Sequence, residues 1–226
     1  MISAVPTQDM IAADTYLPVS KVEFAENHSL GLKVDIWTKR LHLRSVTLDD
    51  VKDYTQLFLN AESIEMYADG NPRSPEQTEK RIQGWVNRWQ NADPFSALRV
   101  ELKDGTFIGH VIMGYGDEAG HAELAYLLHK KYWSNGYGTE AVAAVVNDLA
   151  REILKRGYPV NKDDKDVPPA KLQIINATSR EDNVRSNKIL EKLGFESVDK
   201  NFKWGNWRHV YQLPIMDVTK GSASHM

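Results

Sequence analysis

The sequence predicts an α/β fold, a single domain with one mixed sheet and helices on its faces. Three observations predict it. Short segments alternate apolar and polar residues, as half-buried strands do. Between them lie longer stretches with apolar residues at helical spacing, several with capping residues. The two kinds are interleaved, in the order β-α-α-β-β-β-α-β-α-β-β. Alternation alone leaves the strand order open. The 226 residues, 42% hydrophobic and 26% charged, describe an ordinary soluble globular chain.

Each element has a local reason. Residues 1–36 lack a clean period and are expected to be an N-terminal extension, either packed on the domain or mobile. "RLHLRSV" (40–46) alternates and reads as a strand. Thr47 then stands as an N-cap, and Val51, Tyr54, Leu57 and Phe58 form a helical stripe. "YADGNPRSP" is turn chemistry. Ser74, Pro75 and Gln77 predict a capped helix that places Ile82, Trp85 and Trp89 on one face. Strands follow at 95–102 and 107–116, joined by the Asp-Gly turn of "KDGT", and another at 121–129. A helix is expected from about Thr139 to Arg156, with Val142, Val145, Leu149 and Ile153 as its apolar stripe. After a polar, proline-containing loop come a strand at 171–178 and a helix at 184–193 closed by Gly194. The last part reads as strand, turn, strand. The domain is expected over 37–216, with 217–226 a flexible tail.

Composition excludes several functions. The absence of cysteine removes disulfides, thiolate nucleophiles and cysteine-rich zinc sites, and fits a cytoplasmic protein. A formal charge of −3 gives no basic footprint for nucleic acid. No apolar run is long enough to span a bilayer, and the first residues make a poor secretory signal.

One stretch points to chemistry. In "YWSNGYGTEAV" (132–142) two glycines precede a strong helix. Glycine allows a positive φ and close approach to the backbone, and the first amides of a helix lack internal partners and attract anions. The spacing matches neither a Walker loop nor a Rossmann fingerprint. On its own, the turn is either a phosphate cradle or simply a tight turn.

Together with two other blocks, this stretch resembles the GNAT acyltransferase superfamily, and within it the branch that acetylates N-terminal alanines of ribosomal proteins. The other blocks are "TKRLHLRSVTLDD" (38–50) and "NVRSNKILEKLGF" (183–195). The resemblance covers about residues 37–216 and implies a central, mostly antiparallel sheet flanked by helices. It also implies transfer of an acetyl group from acetyl-CoA to a primary amine by direct attack in a ternary complex, with no metal. A protein N-terminus is the favoured acceptor; a polyamine or an aminoglycoside is the alternative. No nucleic-acid or membrane partner is expected, and the protein would be a monomer or a homodimer. The sequence departs from the superfamily at Trp133 and Ser134, where Arg or Gln and Gly are usual, and at Leu190, where a Tyr commonly protonates the thiolate. That last departure leaves a non-catalytic acyl-CoA-binding or partner-binding module as the competing reading.

The resemblance also assigns residues. The backbone of Trp133, Ser134, Asn135, Gly136, Tyr137, Gly138 and Thr139 would cradle the pyrophosphate. Leu127 and Leu128 would pair with the pantetheine arm as an added strand would. Asn176 and Asn183 would hydrogen-bond that arm, Asn183 being equally a helix N-cap. Glu123 is the first candidate for general base, ahead of His121 and His209, and Ser186 for thiolate protonation. Glu140 is assigned to supporting the turn. Tyr67, Asp69, Trp85 and Trp204 are available for the acceptor, or serve packing and turns.

Overall fold

The computed structural model describes residues 20–27, 31–162 and 164–215. A nine-stranded sheet organises them, in the order β1-β2-β3-β4-β5-β6-β7-β9-β8. The strands are β1 (Lys21–Asn27), β2 (Gly31–Trp37), β3 (Leu41–Ser45), β4 (Ala97–Leu102), β5 (Phe107–Tyr115), β6 (His121–Leu128), β7 (Ile174–Arg180), β8 (Glu196–Lys203) and β9 (Asn206–Pro214). Neighbours are antiparallel except β6 and β7, which run parallel. A mostly antiparallel sheet flanked by helices is the architecture that the sequence implied.

The N-terminal part differs from the expectation of an extension without a period. β1 and β2 extend the sheet beyond β3, and β2 crosses the expected boundary at residue 36. The signal was present: Leu32, Val34 and Ile36 alternate and are buried. The first 19 residues, and the tail expected at 217–226, lie outside the described residues.

Helices α1 (Val51–Leu59), α2 (Ala61–Ile64) and α3 (Pro75–Gln90) cover one face of the sheet. Their buried Tyr54, Leu57, Phe58, Ile82 and Trp85 pack with Ala97, Ile112 and Leu127. The α3 capping box forms as expected: the Ser74 hydroxyl accepts from the Gln77 amide, and the Gln77 side chain accepts from the Ser74 amide. Ahead of α1, a 3-10 turn over Leu48–Asp50 is held by the Asp50 carboxylate, which accepts from the Thr47 amide at 2.8 Å.

The other face carries one long helical run and α6 (Val184–Lys192). The run is α4 (Tyr137–Ala143), a π-helical stretch Ala144–Leu149, and α5 (Ala150–Arg156). Periodicity predicts one uninterrupted helix here. The π stretch departs from that pattern, yet Val142, Val145, Leu149 and Ile153 remain fully buried, packed with Leu124, Leu128 and Leu190.

Candidate active site

The parallel pair β6–β7 does not run its full length. Its register is His121↔Ile174 to Leu124↔Ala177 and stops there. β6 continues along β5 to Leu128, and β7 continues along β9 to Arg180. The two strands therefore splay, and a cavity of about 780 Å³ opens between them.

The hydrogen-bond parity of β6 decides which backbone groups face the opening. His129 donates its amide to Ile108 of β5. In an antiparallel ladder that makes Leu127↔His110 a bonded pair, with both Leu127 groups turned to β5, and points Tyr126 and Leu128 toward the splay. This corrects one expectation. Leu127 borders the cavity, but its backbone is committed to β5, so Tyr126 rather than Leu127 joins Leu128 in presenting main chain. The Leu128 carbonyl already accepts from the Trp133 indole at 2.8 Å, which leaves its amide.

The glycine loop closes one end. Gly136 is the N-cap of α4 at φ +78°, a left-handed conformation that L side chains rarely adopt. The first intrahelical bond runs from the Glu140 amide to the Gly136 carbonyl, so the amides of Tyr137, Gly138 and Thr139 have no acceptor within the helix. A Cβ on Gly138 would stand 3.2 Å from Ile189, so glycine there lets α6 approach. Two of the seven expected cradle residues differ. The Trp133 amide is spent on the Lys130 carbonyl. Asn135 does not border the cavity: its side chain donates to the Tyr132 and Trp133 carbonyls and stiffens the loop.

A clamp outside the cavity holds the loop in place. Glu140 accepts from the Thr38 hydroxyl, the Arg40 amide and Arg40 Nε, at 2.6, 2.8 and 2.6 Å. Arg40 also donates to the Asn135 carbonyl and stacks on Tyr137. Glu140 thus supports the turn, and the "TKR" at the start of the domain is its partner across the fold.

Side chains sort onto two faces. Glu123 and Asn176 are in register and share the α1–α3 face with Ala125 and Leu127. Glu123 is half-buried, and burial, reinforced by the charge of Asp117, pushes its carboxyl up to about 7, against the pull of Lys203 and Arg208. The Asn176 side-chain nitrogen lies 3.1 Å from His121 Nδ1, and its oxygen is buried without a partner. On the opposite face, the Tyr126 hydroxyl lies 2.8 Å from Ser186 Oγ. Burial pushes Tyr126 up to about 12, so it stays protonated through the neutral range. Ser186 sits in the first turn of α6, where its amide donates to the Asn183 side chain. Asn183 is therefore the N-cap, and it also borders the cavity.

Sequence reasoning missed Tyr126. A tyrosine on an apolar strand face needs a partner for its hydroxyl, and that requirement was the available signal. It also missed Arg185 and Lys188, cavity-lining cations on α6, Arg185 lying over Trp133. The other candidates divide. Tyr67 and Trp204 border the cavity, and Trp85 borders an adjoining depression together with Glu123 and Arg81. Asp69 is turned into its own turn, accepting from the Asn71 amide and pairing with Arg73. His121 and His209 do not line the cavity; His209 meets Ser197 and Tyr211 on the α6 side.

The family model described as the acetyltransferase (GNAT) domain matches residues 40–196. Among curated proteins the chain is similar to the uncharacterized N-acetyltransferase YjdG of Bacillus subtilis, at 30% identity over 103 residues. That match takes in 45% of this chain and 51% of the relative, so it spans about half of the relative's length. Among solved structures it is similar to RimL, a ribosomal L7/L12 alpha-N-protein acetyltransferase in complex with coenzyme A. The TM-score is 0.62 at 18% identity, covering 79% of this chain and 96% of that one. A ribosomal-protein-S5-alanine acetyltransferase from Vibrio fischeri gives 0.60 at 15% identity, covering 80% and 96%. At these identities the likeness shows the fold.

Proposed function

This chain belongs to the GNAT acetyltransferase family, and from that premise we propose that it transfers the acetyl group of acetyl-CoA to a primary amine, a protein N-terminus ahead of a polyamine or an aminoglycoside. The observation that carries the reading is the splay of β6 and β7. It joins free helix amides at one end to a carboxyl held near neutrality on the opposite face. The preference for a protein acceptor draws on the ribosomal-protein acetyltransferases among the structural neighbours.

Acetyl-CoA supplies the thioester that the amine attacks. The residues present fit such a co-substrate. The unpartnered amides at 137–139 suit its phosphates, with Ser134 beside them and Arg185 and Lys188 adding charge. The main chain of Tyr126 and Leu128 suits the amides of its arm, with Asn183 and Asn176 at hand.

In this reading Glu123 takes the proton from the incoming ammonium, which a carboxyl titrating near 7 does well at neutral pH. The amine nitrogen bonds to the acetyl carbon and sheds its second proton to solvent, the carbon–sulfur bond breaks, and the departing sulfur takes a proton from Ser186. The Tyr126 hydroxyl replenishes Ser186 and is itself reprotonated from solvent. The pair does the work that a Tyr at Leu190 would do, from one turn earlier on α6 and from the neighbouring strand. Holding both substrates in one cavity replaces a bimolecular encounter with an oriented one.

The test is thiol release from acetyl-CoA against N-terminal peptides, polyamines and aminoglycosides, beside melting curves with and without acetyl-CoA. Binding at about a hundredfold excess over Kd stabilises the fold by roughly 2.7 kcal/mol. No shift in Tm under those conditions refutes the donor assignment, and no thiol release with any amine refutes the reaction.

A further inference from the structure

We propose that the acceptor carries an oxyanion, a carboxylate or a phosphate, close to its reacting amine, and that Arg208 binds it. The inference rests on the acetyl-transfer reading and narrows its acceptor.

Arg208 stands on β9 and borders the cavity while exposing only 4% of its surface. Its own partners are poor. Two NH groups reach the Ala68 and Thr178 carbonyls at 3.4 Å each, the long limit of a hydrogen bond, and its Nε is buried with no partner. No carboxylate pairs with it among the described residues. The contrast is Arg99, buried to a similar depth, which contacts Asp50, Asp53 and Glu101. Burying an unpaired guanidinium is costly, so a group kept this way beside a cavity is built for a partner that arrives. One side of Arg208 is covered by Trp204 at 5.2 Å, which leaves the in-plane NH edge as the binding surface. Desolvation already pulls its pKa down, as an unmatched buried cation requires.

Position argues for the acceptor rather than the donor. The register pairs Arg180 with Arg208 and Asn176 with Gln212, and Asn176 is level with Glu123. Arg208 therefore lies on the Glu123 face of the sheet, opposite Ser186. A second guanidinium borders the same cavity. Arg81, over Trp85 at 5.2 Å, also has a buried Nε without a partner. Asp117, Glu118 and Glu123 supply negative charge to the cavity, and Arg208, Arg81 and Lys203 positive charge, in addition to Arg185 and Lys188 on α6. That dipolar lining suits an amine with an oxyanion nearby. A polycation would set its second ammonium against buried guanidinium groups.

The experiment uses the full chain saturated with coenzyme A and titrated calorimetrically with matched probes. Asp-Ala-Ala amide is set against Asn-Ala-Ala amide, phosphoethanolamine against ethanolamine, and β-alanine against β-alaninamide, with spermidine as the polycation. The expected result is that at least one anionic probe binds about tenfold or more tighter than its neutral twin, the ratio one charged hydrogen bond gives. The winning pair tells a peptide acceptor from a small one. Arg208→Gln should erase that ratio and leave coenzyme A affinity unchanged, with Arg208→Lys retaining part of it. The proposal is overturned if no anionic probe outbinds its twin, if spermidine binds best, or if Arg208→Gln weakens coenzyme A and every probe alike. If Arg208→Gln fails to fold, the wild-type ratios decide. Failure to bind coenzyme A at all overturns the transfer reaction as well, whereas coenzyme A binding without an anion preference overturns this inference alone.

Discussion

Glu123, the proposed general base, illustrates how one residue can trade stability for reactivity. Burial lifts its carboxyl to about 7, well above the value of an unfolded chain. The sign of the linkage follows. Its contribution to stability is intact below the unfolded carboxyl range and is lost as pH rises through about 7, because the folded site resists ionisation. The proposed general-base role requires the opposite state. Activity is expected to rise with pH through about 7 and then level, measured as kcat/KM from pH 5.5 to 9. Glu123→Gln should lower kcat by about 10²-fold or more and, at pH 8, raise Tm above wild type. A fall in both quantities would mean that Glu123 is structural. On the other face, Ser186→Ala and Tyr126→Phe should each slow turnover by about tenfold or more with acetyl-CoA affinity little changed. If the two act as one relay, the double variant should lose little more than either single one.

At the scale of elements, the loop that precedes α4 is shaped from outside itself. Gly136 permits the turn, but Glu140 fixes it by gathering Thr38 and Arg40 from the other end of the domain. Glu140→Ala should cost about 1–2 kcal/mol of acetyl-CoA binding, about tenfold in Kd, by removing charged hydrogen bonds that order the loop. kcat at saturation should hold, since Glu140 touches neither reacting atom. Calorimetry and steady-state kinetics on the same variant separate the two effects. The clamp also explains why Thr-x-Arg near the start and Thr-Glu after the glycines occur together in one sequence: they are two halves of one contact.

For the whole molecule, a buried charge cluster ties β3 and β4 to the start of α1. Asp50, 3% exposed, meets Arg44 in a two-pronged pair at 2.6 and 2.9 Å. Desolvation pushes the Asp50 carboxyl up, yet Arg44, the Thr47 amide and Arg99 together outweigh it and hold it below the ordinary range. Asp50→Asn removes the carboxylate shared by Arg44 and Arg99, leaving Arg44 with Glu101 and Arg99 with Asp53 and Glu101. The expected loss is about 1.5–3 kcal/mol, read as a lower urea midpoint at unchanged m.

The sequence by itself determined most elements of the domain and the glycine loop assigned to the proposed donor site. Alternation located β3 to β6, and the Ser74-Pro75-Gln77 box located α3, because these signals depend on near neighbours in the chain. The glycine turn was legible for the same reason. The β6–β7 splay was not, because it arises where each strand follows a different neighbour, β5 or β9, and no local pattern encodes that divergence. Nor was the π-helical stretch, which keeps the apolar stripe of an ordinary helix. Tyr126 beside Ser186, 60 residues away, and Arg208 on the Glu123 face with no carboxylate partner among the described residues depend on distant side chains or on a missing one. Only tertiary structure decides such things, because burial and pairing are properties of the space around a residue and not of its neighbours in sequence.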